Sequence, residues 1–189
     1  MRIALRGGSF DPLHFGHLFL AAELLWRREP DALWLLPVAR HAFGKPLSPF
    51  DDRLEMARIG ARLLGARAEA RATEEELVRQ GGDGTTVSLL RHLHARHPDA
   101  RFLLALGADA WSQRAGWRDF EEVARLAEVV VFNRAGSAPV EGVDGGPFLP
   151  DVSSTAVRER VRDQEPIEDL VPAEVARYIR GRGLYRQTG

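Results

Sequence analysis

Short continuous apolar runs alternate along this chain with stretches in which apolar residues recur every three or four positions. Residues 3–5, 32–38 ("ALWLLPV", interrupted by Pro37), 101–106 ("RFLLAL") and 129–132 read as buried strands, and 66–72 as a weaker one. Residues 17–28 have helical spacing. Ser48 and Pro49, with Asp51 and Asp52 at the positive end of the dipole, open a helix that runs to about residue 64. Thr85 or Thr86 can cap a further helix that ends near His97, where Pro98 stops it. Residues 119–127, 155–163 and roughly 172–182 supply three more helices, and 135–152, rich in glycine and proline, reads as loop.

This alternation predicts an α/β fold, a parallel sheet covered on both faces. Ligands of such sheets lie beyond the carboxyl ends of the strands. The positions to interrogate are therefore 7–17, 40–45, 107–109 and Arg134. No repeat, low-complexity segment or linker divides the sequence. A single domain over 1–189 is expected, with a C-terminal helical part from about 153 packing on it.

Composition narrows the partners. The net charge of −1 supplies no global basic field for nucleic acid, and the absence of cysteine excludes disulfides and thiolate chemistry. No apolar run approaches the ~20 residues that span a bilayer, and no leader pattern opens the chain, so a cytoplasmic protein without a membrane partner is expected. All but one of the 26 basic residues are arginine; Lys45 is the exception.

The first candidate chemistry lies in "GGSFDPLHFGH", residues 7–17. Gly7 and Gly8 let the backbone approach a ligand, and the helix starting near Gly16 offers free amides and a positive dipole end. His14 and His17 add hydrogen-bond donors to what reads as a polyphosphate cradle. The stretch is neither a P-loop nor a dinucleotide fingerprint. It resembles the signature of the HxGH nucleotidylyltransferase superfamily, in the G-G-x-F-D-P-x-H-x-G-H form of bacterial nicotinate-mononucleotide adenylyltransferases. The resemblance implies a Rossmann-like, doubly wound fold, with His14 and His17 on the phosphates of ATP and Gly7, Gly8, Ser9 and Phe10 lining its site.

A second helix start carries Ser153, Ser154 and Thr155, with Arg158 one turn in. Alone it reads as a serine cap on a solvated helix; it is similar to the family's I-S-S-T-x-[IV]-R motif, with Val152 at the first position. The resemblance implies that Ser153, Ser154, Thr155 and Arg158 close on the ATP phosphates, with Gly107 and Asp109 near the adenosine. It also implies a mononucleotide side. Thr86 and Trp117 would meet the pyridine ring, Arg118 standing where relatives often carry an aromatic. Arg134, followed by Ala135 instead of the usual proline, would bind the same substrate. The loop "PVARHAFGKPL" departs from the bacterial P-P-H-K form and leaves Lys45 as its phosphate partner.

His92, His94 and His97 share one predicted helix; without an accompanying carboxylate or cysteine they read as a solvated face. The function the sequence implies is adenylyl transfer from ATP to nicotinate mononucleotide. Catalysis would rest on His14, His17 and Arg158, and Mg²⁺ would be held by the ATP phosphates with no protein metal site. The alternatives are nicotinamide mononucleotide as substrate, another HxGH transfer, or a nucleotide sensor without turnover. Self-association into a homo-oligomer stays open.

Overall fold

The computed structural model describes residues 1–40, 44–133 and 152–186. Five strands form one sheet: β1 (Arg2–Gly8), β2 (Ala32–Pro37), β3 (Ala68–Ala70), β4 (Arg101–Gly107) and β5 (Ala127–Phe132). All neighbouring pairs are parallel, in the order β3-β2-β1-β4-β5. The order reverses at β1, so the crevice between β1 and β4 is the switch point, where doubly wound sheets bind ligands.

Alternate side chains of β1 enter different layers. Ala4 joins a cluster with Leu20, Leu24, Leu103 and Val157, beneath α1 (Phe15–Arg27), α2 (Phe50–Leu64), α7 (Ser154–Arg162) and α8 (Ala173–Arg182). Ile3 and Leu5 join a second cluster with Val87, Leu90 and Val123, beneath α4 (Thr86–Arg96) and α6 (Phe120–Leu126). Period-two alternation on a strand buried on both faces produces the two layers.

The expected strands and long helices are all present, with shifted ends. β1 extends through Gly7 and Gly8, whose backbones pair with Leu36 and Pro37. The weak strand contracts to three residues. Two short helices were not expected: α3 (Thr73–Arg79) and α5 (Ala108–Ser112). Both are too short to show a helical apolar period.

Ser48 does not cap α2. Pro49 holds the cap position, while the Ser48 amide donates to Asp11 Oδ2 (3.1 Å) and its carbonyl accepts from Arg53 Nε (3.0 Å). Tertiary partners displaced the local one. Thr85 does cap α4, accepting from the Ser88 amide at 3.3 Å.

His94 and His97 stay partly exposed, as expected of a solvated face, but each also packs on an aromatic ring. His94 Nε2 lies 2.8 Å from the Leu126 carbonyl oxygen and its ring meets Phe102 edge-on; His97 packs edge-on against Trp34. Among the described residues no group of three or more histidine or acidic side chains could hold a metal ion, and no helix is long and apolar enough to cross a membrane.

Candidate active site

α1 begins at Phe15, so His14 is its cap residue and His17 sits one turn in. That spacing stacks the two imidazoles, with centroids 3.8 Å apart and planes at 27°. The His14 amide donates to His17 Nδ1 at 3.2 Å. A neutral imidazole that accepts at Nδ1 carries its proton on Nε2, which makes Nε2 the donor of His17. The Phe10 ring meets His17 edge-on at 4.9 Å and holds it from the other side.

Gly16 sits where a side chain would crowd its neighbours. A Cβ there would come within 3.0 Å of the His14 ring and 3.4 Å of the Val152 carbonyl oxygen. The glycine thus lets the start of α7 approach the start of α1.

α7 completes that approach. Ser153 caps it, accepting from the Ala156 amide at 3.1 Å. Ser154 Oγ donates to the Pro12 carbonyl at 3.0 Å, and Arg158 Nη1 donates to the Asp11 carbonyl at 2.6 Å. Arg158 Nη2 lies 3.2 Å from Thr155 Oγ1, which steadies the other arm of the fork. Two helix N-termini, two imidazoles and a guanidinium therefore share one mouth. The amide ends and the cation favour an anion of several charges.

The cytidylyltransferase-like family matches residues 5–160, a span that contains both helix starts. The chain belongs to this family, as a nucleotidyltransferase of its nicotinate-nucleotide adenylyltransferase branch. A relative from Anaeromyxobacter sp. (strain K), named "Probable nicotinate-nucleotide adenylyltransferase", is 45% identical over 97% of this chain and 96% of its own. One of the same name from Myxococcus xanthus is 38% identical over 98% and 95%. Among solved structures, the Plasmodium falciparum nicotinic acid mononucleotide adenylyltransferase complexed with NaAD superposes with a TM-score of 0.80. It covers 97% of both chains at 18% identity, a likeness of fold.

In this adenylyltransferase the opposite layer carries the other expected residues. Thr86 is the first residue of α4, and Trp117 is half-buried, edge-on to Phe120 at 6.0 Å. Asp83 joins the two segments. Its Oδ1 accepts from the Thr85 amide (3.0 Å) and hydroxyl (2.7 Å), and its Oδ2 from Arg118 Nη1 (2.8 Å). The Thr85 amide, then its hydroxyl and Arg118, hold the Asp83 carboxyl down at about 2. Arg118 thus has a structural partner in Asp83.

Gly107 ends β4 and caps α5, at the switch point. Asp109 is in the first turn of α5. Lys45 is exposed beside Gly44 on the loop after β2. Arg134 lies outside the described residues.

Four side chains that sequence reasoning left without a role hold the site. Asp11 is buried; its carboxylate accepts from the Ser48 amide and from Tyr185 Oη (2.7 Å), while its carbonyl takes Arg158. Burial, and then the charge of Asp11, push the Tyr185 phenol far up, so it stays protonated and donates. Arg53 is fully enclosed; its Nη1 donates to the carbonyls of Ser9 (3.1 Å) and Val38 (2.8 Å), tying the first loop to the second. Glu74 of α3 accepts from the Ala39 amide at 2.9 Å, and burial raises its carboxyl to about 7. The only sequence signals for these were a charge at a position that turns out to be core and the position of Tyr185 in the terminal "GLYR".

Proposed function

We propose that this enzyme transfers the adenylyl group of ATP to nicotinate mononucleotide, giving deamido-NAD and pyrophosphate, as a step of NAD biosynthesis. The observation that carries the reading is the convergence of the α1 and α7 starts, sealed by the Arg158–Asp11 and Ser154–Pro12 hydrogen bonds. The names of the relatives support nicotinate over nicotinamide mononucleotide, a phosphopantetheine or cytidylyl substrate, or binding without turnover.

The mononucleotide's phosphate oxygen attacks the α-phosphorus of ATP. The bond from that phosphorus to the α–β bridging oxygen breaks, and pyrophosphate leaves with the electron pair. A phosphomonoester has its second pKa near ~6, so the nucleophile is already a dianion at neutral pH and needs no general base. The work left to the protein is alignment and charge neutralisation. His17 donates through Nε2 and His14 lies stacked beside it. Arg158, its fork already fixed on Asp11 and Thr155, meets the charge that develops on the departing oxygens.

Gly7, Gly8 and Ser9 line the triphosphate from the strand end, and Ser153, Ser154 and Thr155 from α7; Phe10, expected beside them, is wholly buried and acts through its contact with His17. Gly107 and Asp109 serve the adenosine. Thr86, Trp117, Lys45 and Arg134 serve the mononucleotide. Mg²⁺ would enter with ATP as part of that substrate and would offset phosphate charge there. A cytoplasmic location, where both substrates occur, fits the reaction.

Pyrophosphate release with a panel of mononucleotides tests the reading. Nicotinate mononucleotide is expected to give the highest kcat/KM. A higher value with nicotinamide mononucleotide overturns the base preference, and no turnover with either overturns the function.

A further inference from the structure

In β1, Arg6 stands between the buried apolar run Ile3–Leu5 and the two glycines. Strand alternation places its side chain on the Ala4 face, the layer of α1 and α7, and away from Thr86 and Trp117. Its cross-strand neighbour on β2 is Leu35, and continuing the Leu5–Leu104 register puts Ala105 beside it on β4. Both neighbours are buried apolar residues. Arg6 is itself only half-buried, because it opens toward the partly exposed Gly7, Gly8 and Ser9.

The guanidinium has little to hold. Nη1 donates to the carbonyl of the next residue, Gly7, and Nε is enclosed without an acceptor. Among the described residues no carboxylate pairs with it. A Cβ on Gly8 would touch both Arg6 Nη1 (3.7 Å) and the Phe10 ring (3.4 Å), and Phe10 leans on His17. The cation and the Phe10 ring thus flank Gly8, and Phe10 in turn supports His17. Burial alone lowers its pKa to about 10, which leaves it charged at neutral pH. Enclosed cations in proteins are ordinarily paired, because desolvation without a counter-charge destabilises the fold.

We propose that Arg6 is a further substrate-contacting residue, a cation at the end of β1 that binds the phosphate chain of the nucleoside triphosphate alongside Arg158. The inference rests on the adenylyl-transfer reading above and extends the anion cradle to a position outside both motifs. The bound phosphate supplies the counter-charge that the fold withholds.

Arg6→Leu and Arg6→Lys, compared with the wild type, test this. For Arg6→Leu, kcat/KM for ATP falls by about 10- to 100-fold. KM for nicotinate mononucleotide stays within about twofold, and the free enzyme melts no lower than the wild type. The rise in melting temperature that inorganic pyrophosphate gives the wild type shrinks in the variant. Unchanged kcat/KM for ATP, or an equal loss toward both substrates with a lower melting temperature, overturns the proposal and makes Arg6 structural. Should Arg6→Leu not fold, Arg6→Lys decides: a raised KM for ATP alone supports the contact, and wild-type constants overturn it. Failure of the wild type to turn over would strike the parent reading instead, and the pyrophosphate melt would still report on Arg6.

Discussion

Tyr185 Oη donates to Asp11 Oδ1 at 2.7 Å, a bond between residues 174 positions apart that fastens the segment after α8 to the loop between β1 and α1. The same Asp11 receives Arg158 on its carbonyl, so one buried residue links tail, loop and α7. Arg158 is aimed only as well as Asp11 is held.

Tyr185→Phe removes that bond with little change of volume. Hydrogen bonds to charged groups are worth about 1.5–3 kcal/mol, so stability in urea is expected to fall by that order. KM for ATP should rise several-fold as Arg158 loosens. In a double-mutant cycle with Asp11→Asn the second substitution should add little. Full additivity would mean that the two side chains act separately.

His17→Ala takes away the donor that the His14 amide has oriented. The expected loss is about 10²–10³-fold in kcat, as for other transition-state donors, with a smaller change in KM. Steady-state pyrophosphate release measures both constants. Turnover within a few-fold of wild type would remove His17 from the mechanism.

Arg53→Met keeps an unbranched side chain but leaves the carbonyls of Ser9, Val38 and Ser48 without their donor. Unmet buried acceptors predict destabilisation of about 3 kcal/mol or more, read from the denaturation midpoint at constant slope. An undisturbed midpoint would show that the two loops are held by something else.

Glu74 gives stability a pH dependence. Its carboxyl is raised from 4.5 to about 7 in the folded protein, chiefly by burial against the opposing pull of the Ala39 amide and Arg53. The folded state therefore binds the proton more tightly than the unfolded one. The associated stability is complete below about pH 4.5 and is lost as pH rises through about 7. Glu74→Gln retains an acceptor for Ala39 and never ionises. The variant should be more stable than wild type at pH 8, by an order of 2–3 kcal/mol, and the gap should close toward pH 5. A gap that does not change with pH would place the Glu74 titration elsewhere.

The sequence by itself determined the sheet, its helices and the two helix starts. Apolar runs of strand length, periods of three and four, and glycine, proline and hydroxyl punctuation are local properties, written within a few residues of where they act. The order of glycines, aromatic, acid and histidines in 7–17 is local in the same sense, so the place of both histidines at the start of α1 was legible. Short helices such as α3 and α5 were not, because neither is long enough to show a period. What only the tertiary structure decided are the partners. Ser48 could cap its own helix and instead holds Asp11; Arg53, on a charged-looking stretch of α2, turns inward to three carbonyls; His94 and His97, still partly exposed, lean on Phe102 and Trp34. Each outcome depends on which groups distant in sequence arrive beside a donor or a ring. Burial then makes an unmet polar group more costly than the loss of a local cap, and the long-range partner wins.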